Sequence, residues 1–164
     1  MLKSSSLMQT DIGADMVDMM PVADEKIRTE RPAQQALDLA IVILNYNTRE
    51  LLRDCLTSVF AGQELIKYRV CVVDNASADG STDMVRDEFP QAHLIANSTN
   101  IGFSAGNNMG LRWFGFTDRA DGVIDPVQPR YALLLNPDTL VPPPPFGRLV
   151  AFMDTQPKVG VAGP

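Results

Sequence analysis

The chain has 164 residues, of which 45% are hydrophobic and 21% are charged, and these proportions are ordinary for one globular domain. Its 14 Lys and Arg residues against 20 Asp and Glu residues give a net charge of -6, which argues against nucleic acid as a partner, because phosphate binding needs a basic surface. Two cysteines and one histidine are too few for a disulfide framework or for a metal site built on imidazoles.

The first 36 residues differ from the rest of the chain. They show no sustained hydrophobic period and contain Pro21 and Pro32, so we predict a disordered N-terminal segment over 1–36. No stretch has the roughly 20 consecutive apolar residues of a membrane span, and acidic residues interrupt the N-terminus where a signal peptide would be apolar. The sequence therefore predicts a cytoplasmic protein without a transmembrane segment, and it leaves peripheral association with the inner face of a membrane open.

From Leu37 onward, apolar runs alternate with segments of helical period. The runs predict buried strands over 37–44, 68–73, 92–96 and 131–135, and the start of another over 159–162. Segments with helical spacing begin near Asn47, Asp79, Ser104 and Phe146. This alternation predicts an α/β fold with a mostly parallel sheet and right-handed crossovers.

Local signals suggest how three of the helices begin. Asn47, with Glu50 three residues later, resembles a capping box, and Ser104 is a candidate cap for the third helix. The acid Asp79 stands at the start of the second helix, where a negative charge is favourable.

Glycines follow the third strand at a regular spacing. Gly102, Gly106 and Gly110 recur every four residues, and on a helix they would form a smooth face that lets the backbone approach the sheet closely. The chain contains neither G-x-G-x-x-G after its first strand nor a G-x-x-x-x-G-K-[ST] loop. We therefore interpret these glycines as packing residues, not as a phosphate-binding loop.

Polar clusters follow three of the predicted strands directly. They are Asn45-Tyr46-Asn47, Asp74-Asn75 and Asn136-Pro137-Asp138. Ligands of open parallel sheets bind outside the carboxyl ends of the strands, so the clusters indicate a pocket, although each could instead be a helix cap or turn. Capping is the better explanation for Asn47, whereas a shared pocket is favoured for Asp74 and Asp138. A divalent cation on Asp138 would supply the positive charge that a bound phosphate needs.

Four segments stand at the strand ends and at the glycine-spaced helix: IVILNYN at 41–47, VVDNASADGS at 72–81, NIGFSAGNNMG at 100–110 and LLLNPDT at 133–139. In order and spacing they resemble the motifs of glycosyltransferase family 2, especially its rhamnosyltransferase-like branch. The resemblance covers 37–164 and implies a Rossmann-like, nucleotide-sugar-binding fold of the GT-A type, incomplete at its C-terminal end.

The resemblance also implies roles for particular residues. Asn45 and Tyr46 would contact the nucleobase, Asp74 would bond the base or the ribose, and the segment from Asn100 to Asn107 would line the pocket for the sugar donor. Asn136 and Asp138 stand where the family has its metal motif. Asn136 would bind the sugar donor, and Asp138 would hold Mg²⁺ or Mn²⁺ on the diphosphate. Asp79 belongs to the second motif, but a role as the acid of a helix start explains it equally well.

The implied activity is that of an inverting glycosyltransferase of the hexosyltransferase type, which moves a sugar from a nucleoside diphosphate to a saccharide or lipid-linked acceptor. Such a reaction suits polysaccharide biosynthesis for the cell envelope. The family's acceptor-binding half and its catalytic base lie after the metal motif, so the base is expected beyond Pro164 and these 164 residues alone are not expected to transfer sugar. A nucleotide-binding fragment without turnover is the alternative, and an α/β domain whose strand-end acids only cap helices is a third.

Overall fold

The computed structural model describes residues 37–62, 65–116, 128–142 and 146–163, and the N-terminal segment predicted over 1–36 lies outside them. In this part of the chain, strands and helices alternate. The strands are β1 (Leu39–Asn45), β2 (Tyr68–Asp74), β3 (His93–Ala96) and β4 (Tyr131–Leu135). The helices are α1 (Arg49–Phe60), α2 (Ser81–Glu88), α3 (Phe103–Trp113) and α4 (Phe146–Thr155).

The strands form one parallel sheet in the order β3-β2-β1-β4. Strand β1 lies inside the sheet and is buried at every position except Leu44, which is half-buried. This burial explains its uninterrupted apolar sequence, because a strand covered on both faces has no solvent side for polar residues. The predicted α/β fold with a parallel sheet is confirmed.

The main core lies on the sheet face that carries Ile41 and Ile43. Side chains of α1 and α2 pack there with Val72 of β2 and Phe146 of α4. Helix α1 supplies every third or fourth residue to this core, as the helical period predicts: Leu52, Cys55, Leu56 and Val59.

Helix α3 covers the opposite face of β1 and β2, and glycines let it come close. A Cβ atom on Gly110 would lie 2.5 Å from Cγ1 of Val42, and one on Gly106 would overlap Leu44. The packing interpretation is therefore confirmed for these two glycines. It is wrong for Gly102, which precedes α3 with φ +85° and has open space where a Cβ would stand, so its role is conformational.

Two predicted helix starts need correction. The residue before α1 is Thr48, and the side chain of Asn47 instead accepts a hydrogen bond from the amide of Ala78. Helix α3 begins at Phe103 after Gly102, so Ser104 lies inside its first turn. The side chain of Asn47 does not cap α1 because it bonds Ala78, which is distant in sequence. A local sequence pattern cannot reveal such a partner.

The strands predicted at the C-terminal side also differ from the structure. The apolar run predicts a buried strand at β4, but this strand lies at an edge of the described sheet and alternates between half-buried and exposed, with Leu134 49% exposed. Residues 159–163 contain no strand, and Val161 is exposed. The outer edge of β4 is unpaired in the described sheet, but residues 159–163 do not hydrogen-bond to it as a strand. An apolar run without a paired neighbouring strand has no sheet to join.

An ionic cluster joins β1, β4 and α4 at the amino-terminal ends of the strands. Arg130 lies 3.0 Å from Asp38 and also bonds Asp154, which accepts a 2.8 Å bond from the Tyr131 hydroxyl. The other oxygen of Asp38 accepts the amide of Lys67 at 2.9 Å. These hydrogen bonds hold the pKa of Asp38 below its usual value, with the Lys67 amide the larger cause and Arg130 the next.

Candidate functional site

The carboxyl ends of the strands meet along one rim of the sheet, as the sequence predicts. Asn45 pairs in register with Asp74, which in turn pairs with Ala96, and Ile43 pairs with Leu135. The loops after β1, β2, β3 and β4 therefore begin side by side, and the acids predicted after β2 and β4 lie at the same end of the sheet.

Asn45 and Asp74 form a buried pair at the centre of this rim. The Nδ2 atom of Asn45 donates to Oδ2 of Asp74 at 2.7 Å and to Oγ of Ser77 at 3.1 Å. Its Oδ1 atom accepts the Thr48 hydroxyl at 2.6 Å. Asn45 is 0% and Asp74 1% exposed, so these bonds replace the hydration that both groups lose. Both amide hydrogens of Asn45 are thereby used within the protein.

Ser77 links the loops that follow β1 and β2. Its Oγ atom also accepts the amide of Asn47 at 2.9 Å, and its own amide donates to Oδ1 of Asp74 at 2.8 Å. The Ala78 amide closes the link on Oδ1 of Asn47 at 2.8 Å. Asn47 and Ala76 both have left-handed backbones, with φ of +53° and +64°. For Ala76 this conformation costs roughly 1–2 kcal/mol, which the surrounding hydrogen bonds offset.

Asp79 holds the first turns of two helices. Its Oδ2 atom accepts the Arg49 amide of α1 at 2.9 Å, and Oδ1 accepts both the amide and the hydroxyl of Ser81 in α2, at 3.0 and 2.5 Å. Burial alone would raise the pKa of Asp79, but these hydrogen bonds together keep that pKa below its ordinary value. The helix-start role is therefore the one that the contacts of Asp79 show.

The loop after β3 and the start of α3 are bound to β2 through Asn75. Its Nδ2 atom donates to the Gly102 carbonyl at 3.2 Å, and its Oδ1 atom accepts Nδ2 of Asn97 at 3.0 Å. Asn100 turns the chain into the helix, because its Oδ1 atom accepts the Gly102 amide at 2.9 Å. Asn107 is buried and donates to the Phe103 carbonyl at 3.0 Å.

The third cluster forms a turn after β4 that packs on α1. The Thr139 amide donates to the Asn136 carbonyl at 3.2 Å, and the Cys55 thiol donates to the same oxygen at 3.7 Å. The Val141 amide then donates to Oγ of Ser58 at 3.0 Å. Burial, followed by the negative charge of Asp138, raises the pKa of Cys55 to about 11, so this thiol stays protonated at neutral pH.

The predicted site residues divide into two groups by exposure. Tyr46, Asn100, Asn136 and Asp138 are exposed at the rim, with Tyr46 51% exposed. Asn45, Asp74 and Asn107 are buried and hydrogen-bonded within the protein. The connecting roles of Asn75, Ser77 and Asn97 were not predicted. Their positions just after strands were the available signal, but their partners depend on strand order.

The residues available for a divalent cation are few. Among the described residues, no three His, Cys, Asp or Glu side chains come together as a metal-binding group. The Asp138 carboxylate and the Asn136 amide oxygen nevertheless fit Mg²⁺ or Mn²⁺, because such ions take oxygen ligands and often only one or two protein carboxylates, with substrate phosphates and water completing the shell. In the described part of the chain, no helix has the length and apolar character needed to cross a membrane.

In an open parallel α/β sheet such as this one, ligands bind outside the carboxyl ends of the strands, where the rim lies. Residues 40–164 match the model of glycosyl transferase family 2, and the chain belongs to this family. A hexosyltransferase of low-salt glycan biosynthesis, Agl10 from Haloferax volcanii, is 30% identical over 101 residues. That alignment covers 62% of this chain and 28% of Agl10.

Solved structures support the GT-A fold. The crystal structure of S. aureus TarS 1–349 in complex with UDP superposes with a TM-score of 0.59 at 18% identity, covering 78% of this chain and 38% of TarS 1–349. The mannosyltransferase PcManGT from Pyrobaculum calidifontis, in complex with GDP-Man and Mn²⁺, superposes with a TM-score of 0.52 at 18% identity. This superposition covers 85% of this chain and 39% of PcManGT. The chain thus spans well under half the length of these relatives.

Proposed function

We propose that the described domain is the donor-binding part of a glycosyltransferase and that it binds a nucleoside diphosphate sugar along the rim. The observation that carries this proposal is the strand register, which brings exposed Tyr46 after β1 and exposed Asp138 after β4 to the same edge of a parallel sheet. An aromatic ring and a carboxylate at one edge offer contacts for a nucleobase and for a metal-bound diphosphate.

The nucleoside would lie at the ends of β1 and β2. Tyr46 presents a ring for the base, and the loop from Asn100 onward would form the wall of the pocket. Asn100 is exposed, and its Oδ1 atom accepts the Gly102 amide. This bond leaves the NH₂ group of the Asn100 side chain for the ligand. The side chains of Asn45, Asp74 and Asn107 are buried among protein partners. Direct contacts between these side chains and the nucleotide sugar are therefore predictions from the sequence alone.

The diphosphate would lie near the turn after β4. Asp138, with Asn136 beside it, would hold the divalent cation, and a bound cation would neutralise charge on the departing diphosphate. The positive charge of this cation would also allow a chain with a net charge of -6 to bind an anionic ligand.

The known complexes of related proteins support a nucleotide ligand. TarS has been solved with UDP and with UDP-GlcNAc, and PcManGT with GDP-Man and Mn²⁺. For the whole protein we propose an inverting transfer of a hexose to a saccharide or lipid-linked acceptor, in the rhamnosyltransferase-like branch and at the inner face of a membrane. A carboxylate acting as general base would take the proton of the acceptor hydroxyl.

Calorimetric titration of the purified chain with UDP, GDP and dTDP, each with and without Mn²⁺, tests the proposal. We expect saturable binding of at least one nucleotide that Mn²⁺ strengthens. Because these 164 residues alone are not expected to transfer sugar, a separate assay supplies nucleotide sugars, metal and acceptors. Acceptor-dependent release of nucleoside diphosphate above that of an Asp138→Ala control would show that the catalytic machinery lies within this chain. If none of the three nucleotides binds with or without Mn²⁺, the proposed function is wrong and a purely structural domain is favoured.

A further inference from the structure

The hydrogen bonds of Asn45 and Asp74 carry an inference about how the rim is held in shape. We propose that these residues form a buried positioning pair, which fixes the loops carrying Tyr46 and Ser77 and does not itself bond the nucleotide. The inference rests on the proposed function, because it concerns the same rim. It differs from the roles that the sequence suggests, in which both side chains contact the sugar donor.

Every polar atom of the Asn45 side chain already has a hydrogen-bond partner within the protein. One amide hydrogen goes to Asp74 and the other to Ser77, at 2.7 and 3.1 Å, while Oδ1 accepts the Thr48 hydroxyl. With 0% exposure and no N–H left, the side chain has no donor group to offer a nucleobase.

Asp74 lies inside the protein and not on the surface of the rim. It lies beside Asn45 on the sheet face that also carries Val72 and the α1 core, and it is 1% exposed. Each carboxylate oxygen already accepts a bond, one from Asn45 and one from the Ser77 amide. The next residue, Asn75, contacts the opposite side of the rim through the Gly102 carbonyl. Asp74 therefore supports the rim from within.

The effect on the ligand would pass through two strained loops. Asn47 and Ala76 keep left-handed backbones. The Ser77 amide bonds Asp74, and the Asn47 amide bonds the Ser77 hydroxyl, which also accepts from Asn45. The Ala78 amide bonds the side chain of Asn47 and so depends on the pair indirectly. Without the pair, the loops would relax to less strained conformations and Tyr46, the neighbour of both Asn45 and Asn47, would lose its fixed position.

A reciprocal exchange of the two residues separates positioning from direct contact. In Asn45→Asp, two buried carboxylates face each other, and in Asp74→Asn one hydrogen bond of the pair is lost. In the double variant, Nδ2 of the new asparagine can donate to the new aspartate, and its Oδ1 can still accept the Ser77 amide. The Ser77 hydroxyl can rotate to donate where it previously accepted, so every bond has a counterpart.

The experiment measures two quantities on the whole chain: the affinity for UDP and GDP with Mn²⁺, and hydrogen exchange at the Asn47, Ser77 and Ala78 amides. We expect each single variant to bind about tenfold more weakly and to exchange faster at these amides, and we expect the double variant to regain most of both. The control Asp154→Asn, at the other end of the sheet, should lower the unfolding temperature without changing either quantity.

Each contrary result has a definite meaning. If the double variant regains amide protection but binds as weakly as Asp74→Asn, the carboxylate contacts the nucleotide directly and the positioning proposal is overturned. It is also overturned if the single variants keep parental exchange rates. If the parent chain binds neither UDP nor GDP, that result counts against the proposed function and not against the positioning pair. The exchange rates alone then decide whether the pair holds the loops.

Discussion

The backbone of Gly110 in α3 lies directly against the side chain of Val42 in β1. A Cβ atom at this position would be 2.5 Å from Cγ1 of Val42 and 3.2 Å from Cγ2 of Val73. Both neighbours are short β-branched side chains of buried strands, which have few alternative rotamers. The seating of α3, and with it the position of the loop from Asn100 to Gly102, therefore depends on the absence of a side chain here.

Gly110→Ala is expected to lower the free energy of unfolding by about 1–3 kcal/mol, although alanine favours helix by about 1 kcal/mol over glycine. Gly106→Ala should cost less, because its closest neighbour is the flexible end of Leu44. Urea unfolding measures both, with Asn108→Ala at an exposed position of α3 as the control. A Gly110→Ala variant more stable than the parent would contradict this account of the packing.

Tyr46→Ala is expected to weaken nucleotide binding about tenfold, because stacking of a base on an aromatic ring contributes about 1–3 kcal/mol. The side chain is 51% exposed, so the unfolding temperature should stay near that of the parent. Calorimetry with UDP and GDP measures the change, and Tyr46→Phe, which keeps the ring, should bind like the parent. Equal affinity of the alanine variant and the parent would remove Tyr46 from the proposed site.

Asp138→Asn is expected to abolish the gain in nucleotide affinity that Mn²⁺ or Mg²⁺ provides, because a neutral amide is a much weaker ligand for a hard cation. The comparison is the ratio of affinities with and without metal, measured for parent and variant. Asp87→Asn, an exposed acid in α2, is the matched control and should keep the parental ratio. Metal-independent binding by the parent would instead place the diphosphate on protein groups alone.

Asp38 is expected to contribute to stability in a pH-dependent way. Its folded-state pKa is lowered by the Lys67 amide and Arg130, so its contribution is complete above the ordinary aspartate pKa of about 3.9 and is lost as the pH falls through the folded-state value. The difference in unfolding free energy between the parent and Asp38→Asn should therefore be largest near pH 6 and shrink toward pH 3. Urea unfolding at intervals across this range tests the trend, and a constant difference would show that the carboxylate charge does not matter.

The character of the elements could be predicted because it depends on local patterns. The apolar run before Asn45 belongs to a strand covered on both faces, and the helical spacing after Arg49 places Leu52, Cys55, Leu56 and Val59 in the core. Alternation of the two patterns implies crossovers, hence parallel strands whose carboxyl ends share a rim. That reasoning was sufficient to bring Asp74 and Asp138 to the same end of the sheet.

The partners of the rim residues could not be predicted in this way. Asn47 has the local pattern of a helix cap, yet the Arg49 amide is bonded by Asp79, thirty positions away, and Asn47 bonds the Ala78 amide instead. Strand β4 has the composition of a buried strand, but its place at an edge of the described sheet leaves Leu134 half exposed.

The sequence by itself determined the period, the burial tendency and the direction of the elements, since these follow from side chains that are neighbours along the chain. Only the tertiary structure decided that Asn45 and Asp74 are bonded to each other within the protein and that Tyr46 and Asp138 remain exposed. The reason is that a hydrogen bond between strands depends on their order and register, and these are set by the packing of the whole sheet.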